Sequence, residues 1–208
     1  MTAPLSRLAT TIFCFAVLLA GCTDPVSEPE AGASPLRVRL LTAEQYTNTI
    51  TQVFGSDIAE SVVPPLPPLA RTDGLLASGA AFAGVTSDQI QQIQQAASDV
   101  AAKVVDAGHR DFLLPCSPAD DSEPDDACAA QFLRETGRLL YRKPLGEERV
   151  TELVDMARNA TDEAADFYDG LAIALESILI SPDVVFIVDR AEPDPNREGE
   201  QRLNAWSL

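Results

Sequence analysis

The sequence predicts an all-α fold, a small helical bundle of about five helices set behind a signal peptide and a flexible tether. Apolar residues recur at helical spacing in separate segments, and two threonines each followed by a glutamine three positions on mark helix starts. No β-α-β alternation runs through the 208 residues.

The chain begins with an apolar run from Ile12 to Ala20 that leads into Leu19-Ala20-Gly21-Cys22, a lipobox. That run is too short for the roughly 20 residues that cross a bilayer, so residues 1–21 read as a cleaved lipoprotein signal peptide. Small residues before the thiol make Cys22 the expected lipidation site. Residues 22–35 are rich in Pro, Ser and Glu and poor in large apolar side chains, the composition of a lipidated tether.

Thr42 and Gln45 form a capping box, and Tyr46, Ile50, Val53 and Phe54 define a first helix, Ala43 to Phe54, stopped by Gly55. Pro64-Pro65-Leu66-Pro67-Pro68 predicts a stiff connector crossing the core. Thr86 with Gln89 opens a second helix, Ser87 to Ala107, with Ile90, Ile93, Ala97, Val100 and Val104 on one stripe. These elements make an N-terminal helical region, residues 36–115.

The next region, 116–189, carries three more helices. Asp126 is the expected N-cap of a third helix with Phe132, Leu133, Thr136, Leu139 and Leu140 inward, ended by Pro144. A fourth, about Glu147 to Asn159, buries Val150, Leu153, Val154 and Ala157. A fifth starts after a cap at Thr161 or Asp162, buries Tyr168, Leu171, Ala172, Leu175, Ile178 and Leu179, and stops at Pro182. Val184 to Val188 is readable as a strand or a helical turn. Glu192 to Gln201 reads as a flexible linker. Leu203, Trp206 and Leu208 then read as the truncated start of a further helical domain, with Trp206 exposed or pressed on an apolar surface.

The whole chain carries a net charge of −17, and loss of Arg7 with the signal makes it one unit more negative. Such a surface repels phosphate backbones and anionic headgroups, so no nucleic-acid partner is expected and the acyl chains must hold the membrane. With Cys14 removed and Cys22 acylated, Cys116 and Cys128 remain. In an oxidising compartment they most simply form a disulfide, worth about 3 kcal/mol for a loop of this size. One histidine and no CxxC or CxxCH motif leave no metal or cofactor site to expect.

Three other features carry possible chemistry. Asp120, Asp121, Glu123, Asp125 and Asp126 offer oxygen ligands but lack the alternation and the glycine of a calcium loop, so they read as a solvated acidic loop. Arg134, Arg138 and Arg142, spaced by four, predict a basic stripe that either pairs with the acidic excess or docks an acidic partner. His109 follows Gly108, where an imidazolium suits a helix C-terminus, and no nucleophile motif makes it a general base. No catalytic residue is assigned.

Three segments together resemble a known family. Arg39 to Thr49 with Val53-Phe54-Gly55 looks like an "RLTxxEYxNTxxDLLG" opening. Cys128 to Leu133 through Tyr141-Arg142-Lys143-Pro144-Leu145 is similar to "CAxxFxxxxxxRAYRRPL", and Leu175 to Phe186 resembles "LxAxLxSPxFLYRxE". In this order they resemble the planctomycete PSD-type exported proteins, domain-of-unknown-function families 1587, 1595 and 1592. Leu203 to Leu208 is similar to the start of that family's "LxxYELASRLSYFLW" helix. The resemblance names no activity and no catalytic residues. Together with the lipobox it points to a lipid-anchored cell-envelope protein of a family without established activity, an interaction or scaffold module with a protein partner in the envelope. The alternative is the N-terminal part of a larger envelope enzyme or cytochrome-linked electron-transfer protein.

Overall fold

Strand β1 (Val38–Leu40) starts the described part of the protein, and its partner lies at the far end of the core, in β2 (Phe186–Val188). The two pair antiparallel with Val38 opposite Val188 and Leu40 opposite Phe186. The computed structural model describes residues 38–206, excluding residues 64, 73 and 82. The expected signal peptide, the expected lipidation site Cys22 and the expected tether lie outside the described residues.

The fold is mainly helical, as the apolar periodicity predicts. Helix α1 (Ala43–Phe54) follows β1 directly, and its capping box is complete: Gln45 N–H donates to Thr42 Oγ1 at 3.0 Å and Thr42 N–H to Gln45 Oε1 at 3.0 Å. Tyr46, Ile50 and Phe54 face the core, and burial pushes the Tyr46 phenol up to about 12. Gly55 stops α1 at φ 103, a backbone that favours glycine, and a short helix α2 (Ser56–Glu60) buries Ile58 and Ala59. The proline-rich connector sends Leu66 into the core and leaves Val63 exposed. It is followed by a short helix α3 (Leu76–Ala81) that the sequence periodicity does not mark.

Helix α4 (Ser87–Val105) has its expected second capping box, Thr86 with Gln89. It buries Ile93, Ala97, Val100 and Val104, but Ile90 is exposed, one turn too early to reach the core. The helix also stops two residues before Ala107. Asp106 turns to extended backbone and its Oδ1 accepts the Gly108 N–H at 2.8 Å, which satisfies the turn in place of another helical bond. A single turn, α5 (Arg110–Leu113), follows.

Helix α6 (Asp126–Leu140) is capped by Asp125, one residue before the expected Asp126, and Asp125 Oδ1 accepts from Cys128 N–H at 3.0 Å. Cys128 is disulfide-bonded to Cys116, tying the start of α6 to the preceding segment. Phe132, Leu133 and Thr136 are buried while Leu139 is exposed.

Helix α7 (Glu147–Ala164) runs past Asn159, and α8 (Phe167–Leu179) starts only after Asp166, whose carboxylate accepts from Tyr168 and Asp169 N–H. Thr161 is therefore not a cap. It is fully buried inside α7 and its Oγ1 donates to Ala157 O at 2.9 Å, an internal partner that removes its need to cap. The chain reverses between the two helices through Ala165, at φ 54.

Helix α8 is the apolar centre of the fold. It packs along α7 and α4 and touches α6, and Leu171, Leu175 and Ile178 have no exposed surface. Val184 to Val188 contains both structures it was compatible with, a helical turn α9 (Pro182–Val185) capped by Ser181 and then β2.

Residues 191–203 do not form the open linker that their composition suggests. β3 (Ala191–Pro193) pairs antiparallel with β4 (Gln201–Leu203). The intervening loop is closed by Asp194 N–H donating to Glu200 O and by Asn196 N–H donating to Asp194 Oδ1. A loop that satisfies its own backbone groups needs no apolar face to be ordered, so hydropathy carries no sign of it. The regions 36–115 and 116–189 share one core, and the described residues fall in one compact unit. Among the described residues no helix is long and apolar enough to cross a membrane.

Candidate functional site

A cluster of charged side chains sits where α6, α9 and β2 meet. Helix α6 ends at Leu140, and Arg142 lies beyond it at φ 57, so it does not continue the row of Arg134 and Arg138. Its Nη2 donates to Asp183 O at 2.7 Å and to Phe186 O at 2.8 Å, and its Nη1 to Val184 O at 3.4 Å. These carbonyls belong to and follow the single turn α9, so the guanidinium binds the orphan acceptors that a helix end leaves. Burial lowers the Arg142 pKa and the nearby Asp183 carboxylate partly restores it. An arginine starts high enough to stay charged throughout the accessible range.

Lys143 Nζ reaches Asp183 Oδ1 at 2.6 Å, and Arg190 lies 3.6 Å from the same oxygen. Arg39 on β1 pairs with Asp189 just past β2 at 3.0 Å, and Leu41 N–H donates to Val185 O at 3.0 Å. Arg149 on α7 donates to Ser177 Oγ on α8 at 3.0 Å. Beside the cluster, Tyr141, Phe186 and Trp206 bound a crevice of about 50 Å³. That space suits water, whereas small-molecule sites are typically about 300–1,000 Å³. Trp206 is 57% exposed at its edge.

The expected basic stripe is thus split. Arg134 makes an exposed pair with Glu147 at 2.7 Å, Arg138 is exposed, and Arg142 is spent on backbone carbonyls. Sequence spacing projects Arg142 onto the α6 face only if the helix continues, and it does not.

His109 is held between two carboxylates. Nδ1 is 2.7 Å from Asp106 Oδ1 and Nε2 is 2.8 Å from Asp57 Oδ2, so one ring ties α2 to the turn after α4. Hydrogen bonds to Asp106 and then Asp57 raise the His109 pKa above 6.5. The His109 hydrogen bond lowers Asp57, and for Asp106 burial pushes up but the bonds from His109 and Gly108 N–H outweigh it. The histidine's contribution to stability is complete below 6.5 and is lost as pH rises through its raised folded value. The aspartates contribute above their ordinary value of 3.8 and lose it as pH falls through their lowered ones. The clasp is therefore strongest in mildly acidic solution. An NMR titration of His109 should show a midpoint above 6.5, and His109→Gln should flatten the fall in melting temperature from mildly acid to mildly alkaline pH. A midpoint at or below 6.5 would contradict the clasp.

In the acidic loop, Asp120 accepts from Ser122 N–H and Oγ–H at 2.9 and 2.7 Å, and these bonds lower its pKa. Asp121 O accepts the Phe167 N–H at 2.7 Å, Asp125 caps α6, and Asp126 pairs with Arg158. Among the described residues, no three His, Cys, Asp or Glu side chains are grouped to hold a metal.

Sequence reading passes over the pairing of Arg39 with Asp189 and of Lys143 with Asp183, and passes over Arg149 altogether. Lys143 and Asp183 lie forty positions apart and Arg39 and Asp189 lie 150 apart, so no local pattern signals them.

Two families match the chain. Residues 39–106 are similar to PSD3, a protein of unknown function (DUF1587), and residues 128–189 to PSD5, a protein of unknown function (DUF1595). Residues 190–208 fall outside both stretches. No curated protein and no solved structure matches the chain. The first residue of the PSD3 stretch, Arg39, is ion-paired with the last residue of the PSD5 stretch, Asp189. All three sequence motifs meet here: Arg39 to Leu41 lies on β2 and α9, and Tyr141-Arg142-Lys143 grips Ser181 to Phe186. The motifs form the contact between the PSD3-like and the PSD5-like stretch.

Proposed function

We propose that this protein is a lipid-anchored interaction module of the cell envelope, held to the membrane by acyl chains on Cys22 and presenting a rigid, acidic helical domain to a protein partner. The observation that carries the reading is the lipobox Leu19-Ala20-Gly21-Cys22 on a chain whose two remaining cysteines, Cys116 and Cys128, are joined in a disulfide. A disulfide persists in an exported, oxidising compartment, which is where a lipobox sends a protein. An interaction role is supported by the use the fold makes of its charged side chains. His109, Arg142 and Asp126 each hold one element to another, which leaves recognition to the outward, mostly acidic surface. With a net charge of −17 that surface does not suit nucleic acid.

Metabolic labelling with an alkynyl fatty acid tests the anchor. The wild type should be labelled and Cys22→Ala should not. Equal labelling of both would remove the anchor and with it this reading.

A further inference from the structure

We propose that the groove between α4, α7 and α8 is the docking site for a cationic amphipathic helix of a partner protein, a proposal that rests on the interaction reading above and specifies the partner's chemistry. The groove has a volume of about 370 Å³. Alanines from all three helices line it, Ala102 from α4, Ala160 from α7 and Ala172 from α8. Side chains this short let another helix approach closely and leave room for its larger apolar residues. Ile173 stands in the groove 48% exposed, on the outward side of the most apolar helix of the fold.

The rim decides the occupant. Glu163 on α7 and Asp169 and Glu176 on α8 line the groove beside the apolar floor, and among the described residues none of the three has an ion-pair partner. Elsewhere several outward carboxylates do have cations: Glu147 pairs with Arg134, Asp126 with Arg158, and Glu192 with Arg202. An apolar floor edged by unpaired carboxylates from α7 and α8 complements a helix with apolar residues on one stripe and Lys or Arg along its flanks. A second copy of this chain fits poorly, since it would bring the same rim and its own net charge of −17.

The test uses the full chain in phosphatidylcholine nanodiscs and two fluorescein-labelled amphipathic peptides of about 18 residues, five helical turns. Both carry the same leucine stripe, one flanked by lysine and the other by glutamate. Fluorescence anisotropy, corrected for empty nanodiscs, should show binding of the lysine peptide alone, weakening as salt is raised. Ile173→Asp should abolish it. The triple variant Glu163→Gln, Asp169→Asn, Glu176→Gln should weaken it about tenfold, whereas neutralising three exposed acids elsewhere, Glu44→Gln, Glu123→Gln and Glu135→Gln, should change it less than about twofold. Equal losses in the two triple variants would mean attraction to the overall charge and would overturn the site, as would binding that survives Ile173→Asp. A wild-type dimer lost in Ile173→Asp would make the groove a contact between copies and overturn the partner. None of these failures touches the labelling of Cys22, so they are distinguishable from failure of the anchor.

Discussion

Gly170→Ala should destabilise the protein by about 3 kcal/mol, although alanine favours a helix by about 1 kcal/mol over glycine. Gly170 lies in the first turns of α8, where the chain has just reversed out of α7. A Cβ built there would stand 2.2 Å from Thr161 Oγ1, 2.5 Å from Ala157 O and 2.8 Å from Thr161 N. Two of those three atoms are backbone of a packed helix and cannot rotate away. The methyl must push α8 off α7, and α8 carries the centre of the core through Leu171, Leu175 and Ile178. For a unit of this size the loss corresponds to a fall of about 6–12 °C in melting temperature. Combining it with Thr161→Ala removes the nearest obstacle and leaves the two backbone ones, so the double variant should recover only part of the loss relative to Thr161→Ala alone. A Gly170→Ala protein as stable as the parent would show that α7 and α8 do not approach this closely.

That close approach is invisible in the sequence. Gly170 sits in a run whose apolar spacing already reads as a helix, and what it touches is set by the angle between two helices. The starts of α1 and α4 are legible because a threonine and a glutamine three residues on satisfy each other's backbone, a purely local arrangement. The boundary between α7 and α8 is not, because Thr161 and Asp166 are both good cap residues and only the buried Ala157 carbonyl beneath Thr161 decides between them. β1 and β2 are three residues each and derive their register from a partner almost at the other end of the core, so neither has a pattern of its own. The same holds for the charges. His109 is readable as a cation near a helix end, but its second carboxylate, Asp57, comes from 52 residues away. The disulfide is legible by elimination among four cysteines, because the signal-peptide reading removes Cys14 and the lipobox reading assigns Cys22 to the lipid.

Arg142→Met should cost about 3 kcal/mol, because it removes charge-assisted bonds worth about 1.5–3 kcal/mol each while leaving the aliphatic stem in place. Two short bonds, to the carbonyls of Asp183 and Phe186, and one long one to Val184 are lost. The sum falls below the simple total because these carbonyls are only part-buried and water can take over some of the bonding. The position adds a second element to the test. Arg142 is held at φ 57, where a side chain is strained, so Arg142→Gly would relieve backbone strain and still lose the donors. If the guanidinium is what closes the junction, glycine should be destabilising too, by about 1 kcal/mol less than methionine. The damage should also be local. Leu41 N–H, bonded to Val185 O in the strand pairing that Arg142 supports, should exchange with solvent faster in Arg142→Met by a larger factor than amides in the middle of α8. Uniform acceleration would mean that Arg142 contributes only to global stability. A glycine variant at least as stable as the parent would mean that the left-handed turn, and not the guanidinium, holds the PSD5 stretch against the PSD3 stretch.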